Sequence, residues 1–232
     1  MEPFNHWVFE NFFSRDRARK LSGEFLDYDD PNWFDYNNPV ENKKSLNNWY
    51  CFPPETYKVF AYLNSPNFIS ILKGVTGIDN LYPDVGLHGA GWHIHKTGGK
   101  LNVHLDYSIH PKLHLQRKLN LIVYLSEDWN LDWGGSLQLW SHDKQSKRPK
   151  ELVKTIGNIF NRAVVFDTTQ NSWHGFPDLL TCPEGVFRKS IAVYYLTDPP
   201  EGTDPRSRAL YAPNESQKDD PLVLDFIQKR AA

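Results

Sequence analysis

Between Trp92 and Leu196 the apolar residues fall into short runs closed by turn signals, and this limits the chain to a β architecture. Trp92–His95 alternates and gives way to the turn Lys96-Thr97-Gly98-Gly99, after which Leu101–Tyr107 follows. Leu119–Leu125 is almost continuously apolar, and Asp132-Trp133-Gly134-Gly135 turns into Ser136–Trp140. Ala163–Phe166 and Arg188–Leu196 are further strands, and His6–Phe12 reads as a first one. Seven or more short strands at this spacing predict a sandwich or barrel.

The first third is more helical. Ser14 is an N-cap with Asp16 in the first turn of a helix to about Leu26, whose Ala18, Leu21, Phe25 and Leu26 share a face. Residues 27–54, rich in Asp, Asn, Pro and aromatics, predict a long loop with a strand at Trp49–Phe52. A helix over Pro54–Leu63 would place Tyr57, Phe60 and Ala61 on one side, and Ser65-Pro66 starts another to about Gly74. Both are expected to buttress the sheet. The tail from Pro199 is polar, with a helix over Pro221–Arg230. The 232 residues are expected to form a single domain. Its core would span about 80–198, with the N-terminal strand and helices in 1–79 and the tail in 199–232.

A formal net charge of -2 offers no electrostatic hold on nucleic acid or an acidic membrane, so neither is expected as a partner. Met1-Glu2-Pro3-Phe4 lacks the basic and apolar regions of a signal peptide, and no apolar run approaches the ~20 residues of a membrane span. Cys51 and Cys182 fit no metal spacing. The expectation is a soluble, cytoplasmic protein.

Within the strand series, His104 and Asp106 are two apart and would leave the same face of a strand. With 9 His and 18 Asp in 232 residues, chance alone gives roughly 0.7 such pairs, so the spacing needs support. His174, in Ser172-Trp173-His174-Gly175, offers a third ligand. Two histidines and a carboxylate leave half of an octahedral ion open, as in non-heme Fe(II) oxygenases. His93 and His95 share a face and would suit a cupin-type set, but Lys96–Lys100 contains no glutamate for it. One of them is expected to line the pocket. His110 and His114 read as a solvated loop, Arg162 as a surface residue, and Lys147, Arg148 and Lys150 as a solvated cluster.

Arg188 heads an otherwise apolar strand, and a cation pointed into a barrel requires an anion there. A guanidinium suits a carboxylate bidentately. Tyr124, on one strand face with Asn120 and Ile122, could donate to the same carboxylate, whereas strand parity sends Lys189 to the opposite face.

The pattern HLD…NLIVYLSEDWNLDWGGSLQLW…WHG…RKSIAVYYL resembles the prolyl-hydroxylase branch of the Fe(II)/2-oxoglutarate dioxygenases, both hypoxia-sensing and ribosomal-protein types. PFNHWVFENFFSRDRARKL is similar to the start of the latter group, so the resemblance covers roughly residues 3–198, with 27–90 unmatched in detail. It implies a mainly β fold with flanking helices around a double-stranded β-helix (jelly roll) core. His104, Asp106 and His174 would ligate Fe(II); Arg188 and Tyr124, with Asn120 and His95, would bind 2-oxoglutarate. Arg117 fits the family's arginine on its strand, and whether it touches substrate or braces a loop is open; Tyr107 and Tyr194 are further substrate-side candidates. A departure is the strand of His93 and His95, where relatives frequently have a tyrosine. The implied reaction converts 2-oxoglutarate and O2 to succinate and CO2 while hydroxylating a C–H bond, with ascorbate as a possible reductant. A prolyl residue of a peptide or protein is the expected acceptor. Another residue, a free amino acid or small molecule is the alternative, and a catalytically silent jelly-roll binding module the alternative from another class.

Overall fold

The computed structural model describes residues 1–231; Ala232, the last residue of the expected domain span, lies outside the described residues. The chain opens with strand β1 (His6–Phe9), helix α1 (Arg15–Gly23) and a hairpin of β2 (Phe34–Asn38) and β3 (Glu41–Leu46). Helices α2 (Pro54–Leu63) and α3 (Pro66–Thr76) and the short β4 (Tyr82–Pro83) come next. Then follow β5 (Gly91–His95), β6 (Lys100–Leu105), β7 (Gln116–Tyr124), β8 (Leu137–His142) and β9 (Pro149–Ile156). The chain continues through β10 (Ala163–Asp167), β11 (Trp173–Phe176), β12 (Arg188–Thr197), β13 (Leu210–Tyr211) and helix α4 (Pro221–Ala231).

Strand parity assigns each residue of the central strands to one of two environments. On β7, Leu119, Leu121 and Val123 pack outward with Ile191, Val193 and Tyr195 of β12 and Trp92 and Ile94 of β5. Ala18 and Leu21 of α1, Phe60 and Leu63 of α2, and Leu72 of α3 cover that face. The Tyr195 hydroxyl donates to the Leu63 carbonyl at 2.9 Å, tying sheet to helix. Each fully buried aliphatic side chain here contributes about 1.5–3 kcal/mol of transfer free energy. The alternate residues, among them Asn120, Ile122, Arg188, Ser190, His93 and His95, face inward and line a cavity.

Among the described residues the strands form one antiparallel sheet whose main path is β1-β10-β7-β12-β5-β3-β6-β11-β8-β9. Residues of β5, β7 and β12 and residues of β6, β8 and β11 line the same cavity, so the sheet curls over itself into a jelly roll. The seam is β3: Glu41 and Asn42 pair with Leu101 and Lys100 of β6, while Lys44–Leu46 pair with Ile94–Trp92 of β5.

Residues 27–54 are therefore no long loop, and Trp49–Cys51 is a 3-10 turn rather than a strand. The Asn48 side chain accepts from the Tyr50 amide and turns the chain before Pro53-Pro54. The segment that carries Lys150 forms β9, an edge strand paired with β8. Helix α1 stops short of the expected Leu26 because Glu24 serves another element. Its two carboxylate oxygens accept from the Glu55 and Thr56 amides, capping α2, whose own N-cap is a proline. The buried face of α2 is Thr56, Val59, Phe60 and Leu63, an i, i+3, i+4, i+7 set; Tyr57 and Ala61 are exposed. Arg162 is half-buried at the surface, with Nη2 at 2.7 Å from the exposed Glu10 and Nη1 donating to the Gly157 carbonyl.

Candidate active site

His104 on β6 and His174 on β11 lie directly across the strand pair, with ring centroids 4.3 Å apart. Each ring nitrogen Nδ1 meets the backbone carbonyl two residues back, that of Asn102 at 2.9 Å and that of Ser172 at 2.8 Å. A carbonyl only accepts, so Nδ1 carries the proton and Nε2 presents a bare lone pair. Asp106, one residue beyond the end of β6, turns its carboxylate toward both. Oδ1 lies 3.7 Å from His104 Nε2 and Oδ2 3.9 Å from His174 Nε2. One ligand atom from each of the three residues can be chosen so that all lie within 4.8 Å of one another. Gly175 permits this approach: a Cβ there would stand 2.7 Å from the Asn102 carbonyl oxygen.

The protonation states suit a metal. Burial works against the Asp106 carboxylate, but the Arg117 guanidinium, helped by both histidines, outweighs it and holds the carboxyl well below its usual range. Burial, then the neighbouring His104, lowers His174 to about 4, leaving it neutral. Arg117 Nη1 is 3.1 Å from Asp106 Oδ1, and Asn120 donates to Oδ2 at 3.1 Å. The Arg117 guanidinium is sandwiched between the rings of Tyr107 and Tyr194, 3.3 and 3.2 Å from their centroids. Arg117 thus braces the carboxylate, and Asn120 stands against the same group.

Arg188 occupies another part of the cavity. It is 4 % exposed and has no carboxylate partner among the described residues. Nε donates to the Gly135 carbonyl at 2.9 Å and the guanidinium lies over the Phe176 ring at 4.4 Å. Gly135 has φ +79° and a Cβ there would come within 2.7 Å of Arg188 Cδ, so the turn needs glycine twice over. The Tyr124 hydroxyl and both ring nitrogens of His95 are buried without hydrogen-bond partners among the described residues. Burial, then the charge of Arg188, keeps His95 neutral, and burial and Lys43 lower His93 to about 3. A buried cation beside unsatisfied polar groups fits an anionic ligand and is otherwise costly.

The cavity measures about 830 Å³. His104, Asp106, His174, Arg188, Asn120 and His95 line it, as do Arg117, Tyr107 and Tyr194. Tyr124 does not; it sits behind the lining, with the Arg188 guanidinium 5.2 Å from its ring centroid. Lys189 lies on the opposite face, its ammonium on the Ser22 carbonyl. His110 is not solvated. Its Nδ1 accepts from the Lys112 and Leu113 amides, which folds the ring inward against His88 and 3.7 Å from Asp84. His88 and Tyr211 also line the cavity and had no motif to announce them.

Residues 90–197 match the model of the 2OG-Fe(II) oxygenase superfamily. The chain is similar to prolyl hydroxylases in sequence and in fold. Among curated proteins it is similar to prolyl 3-hydroxylase OGFOD1 of Mus musculus, 28% identical over 216 residues, which cover 88% of this chain and 36% of that protein. The chain thus spans about a third of the length of this relative. Its fold is similar to a Pseudomonas putida prolyl-4-hydroxylase, with TM-score 0.57 at 14% identity over 84% of this chain and 94% of the other. It is also similar to a prolyl hydroxylase from Trichoplax adhaerens in complex with a hypoxia inducible factor peptide fragment. There the TM-score is 0.58 at 15% identity, over 84% of each chain.

Proposed function

We propose that this protein hydroxylates a prolyl residue of a peptide or protein, with His104, Asp106 and His174 holding Fe(II). Arg188 binds the distal carboxylate of 2-oxoglutarate, with Tyr124 and His95 as neighbouring polar groups. The observation that carries the reading is the buried, carboxylate-free Arg188 guanidinium in the same cavity as three convergent metal-ligand atoms. Fe(II) with 2-oxoglutarate supplies O2 activation, so that decarboxylation to succinate and CO2 accompanies oxygen insertion into a C–H bond.

The chain's own residues orient and exclude water. Arg117 and Asn120 hold the Asp106 carboxylate by one oxygen each, which fixes how it faces the two imidazoles. Phe176, Ile122 and Leu137 give the cavity apolar wall, which strengthens the attraction between Arg188 and a carboxylate. Tyr107, Tyr194 and Tyr211 offer aromatic surface suited to a flat, apolar ring. The prolyl assignment is supported by the names of the curated relative and the two fold neighbours. Ascorbate serves as an external reductant in this proposal.

The test has two stages. Anaerobic addition of Fe(II) and 2-oxoglutarate is expected to give the visible charge-transfer band of the chelate. Proline peptides, free proline and lysine peptides are then offered in parallel with O2, and added oxygen is located by mass spectrometry. Oxygen on lysine or a free amino acid, with proline peptides inert, would sink the prolyl assignment and leave the iron chemistry standing.

A further inference from the structure

The His104–Asp106 stretch is held from outside by the chain's last segment, which lies beyond the matched residues 90–197. β13 pairs with β6 so that Tyr211 stands opposite His104 and Leu210 opposite Leu105. β3 covers only the first part of that edge of β6, at Lys100 and Leu101, so β13 covers the end that carries the ligands. The Tyr211 ring stacks on the His104 ring, with centroids 5.1 Å apart and planes 25° apart. Arg206 clamps the next residues: Nη1 donates to the Asp106 carbonyl at 2.8 Å, and its own carbonyl accepts from the Ser108 and Ile109 amides. The Ala212 amide donates to the Val103 carbonyl at 2.8 Å, and the Asn102 side chain donates to the Ala212 carbonyl and to Gln217. Every residue from Asn102 to Asp106 is therefore touched by residues 206–217.

The segment is in turn anchored. Val223, Phe226 and Ile227 of α4 pack with Val40 and Tyr211, and Arg230 pairs with the buried Glu41 at 2.7 Å.

We infer that this C-terminal strap is a working part of the metal site: Tyr211 and Arg206 are positioning residues that hold His104 and Asp106 in ligating geometry. The inference rests on the iron reading above. Stacking restricts the tilt of the His104 ring, whose Nδ1 hydrogen bond to the Asn102 carbonyl is local. The Arg206 clamp fixes the backbone just where the strand ends, so that Asp106 turns toward the histidines rather than following the strand line. Losing such a support around a metal ligand weakens metal affinity by roughly 10–100-fold.

Cobalt(II) titrated into the full chain without 2-oxoglutarate or peptide tests this apart from activity. Tyr211→Leu keeps bulk and apolarity but loses the flat ring, and Arg206→Gln loses the guanidinium bond to the Asp106 carbonyl. Each is expected to raise the Co(II) Kd at least about tenfold and alter the visible d–d bands, with far-UV circular dichroism unchanged. Tyr211→Phe, which keeps the stacking, is expected to stay within about threefold of the parent. Should Tyr211→Leu fail to fold, Arg206→Gln decides. Wild-type affinity and spectrum in folded Tyr211→Leu and Arg206→Gln overturn the inference while leaving the iron reading intact. A parent chain that binds no Co(II) overturns both.

Discussion

Arg117 and Asn120 divide the two oxygens of Asp106 between them, each at 3.1 Å, and so keep a buried carboxylate charged and pointed at two imidazole lone pairs. Asp106→Ala or His174→Ala leaves two ligands, and metal analysis of either purified variant is expected to find no retained iron, with succinate formation lost. Arg117→Met leaves Asp106 without its cation, and breaking a buried pair on one side costs about 3–5 kcal/mol, readable by urea unfolding. Arg188→Leu is expected to raise the 2-oxoglutarate KM at least tenfold, since a charge-assisted pair contributes about 2–3 kcal/mol, with iron retention unchanged. An unchanged KM would move the role to His95. The pairing of His104 with Asp106 was readable in sequence from their i, i+2 spacing, and the burial of Arg188 because a cation among apolar residues needs a reason. The partnership of Arg117 with Asp106 was not, since it joins β7 to a turn after β6 and no periodicity connects them. His110 was misread for a related cause: it fills backbone donors of its own turn, which drives a polar-loop imidazole inward.

At the scale of elements, the two pieces that close the site are the polar β3 and the amphipathic α4, joined through Glu41. This carboxylate is 1 % exposed and faces Lys43 on its own strand, Arg230 on α4, Tyr211 on β13 and Asn38 in the hairpin turn. Burial raises its pKa, but Lys43 and Arg230, with hydrogen bonds from Tyr211 and Asn38, outweigh burial and lower it below the ordinary 4.5. A lowered folded value means the stabilisation is present above about pH 4.5 and is lost as pH falls through the lowered value. Glu41→Gln is therefore expected to cost about 1–3 kcal/mol at pH 7 in urea unfolding, with the gap to wild type narrowing steadily below pH 4.5. A gap that stays constant with pH would show that shape, not charge, matters at this position. This element also shows where sequence reading stopped. Glu41-Asn42-Lys43-Lys44-Ser45 has no apolar alternation, because its buried member is a carboxylate neutralised in three dimensions. β9 failed differently: residues 150–155 are exposed on both faces, so an edge strand leaves no hydrophobic period. The central strands β7 and β12 were readable because each has a full apolar face against the helices.

For the whole molecule, the curled sheet surrounds groups without a hydrogen-bond partner among the described residues, the Tyr124 hydroxyl and the His95 ring, beside the His104, Asp106 and His174 cluster and the buried Arg188 guanidinium. Filling such an interior must stabilise the fold, because a ligand that binds only the native state adds RT ln(1 + [L]/Kd), about 2.7 kcal/mol at a hundredfold excess over Kd. For a chain of this size that corresponds to a rise in Tm of roughly 5–10 °C. The order of addition carries the information. Under argon, Fe(II) alone is expected to raise Tm, and 2-oxoglutarate to raise it further only when the metal is present, since the proposed site would hold the oxoacid by iron at one end and by Arg188 at the other. Arg188→Leu should keep the metal step and lose most of the second, whereas Asp106→Ala should lose both. A 2-oxoglutarate shift of full size in metal-free protein would show that the oxoacid binds without iron and would separate the two halves of the proposed site. Calorimetry at fixed protein concentration distinguishes these outcomes, because each step is a difference between scans that share the same unfolded state.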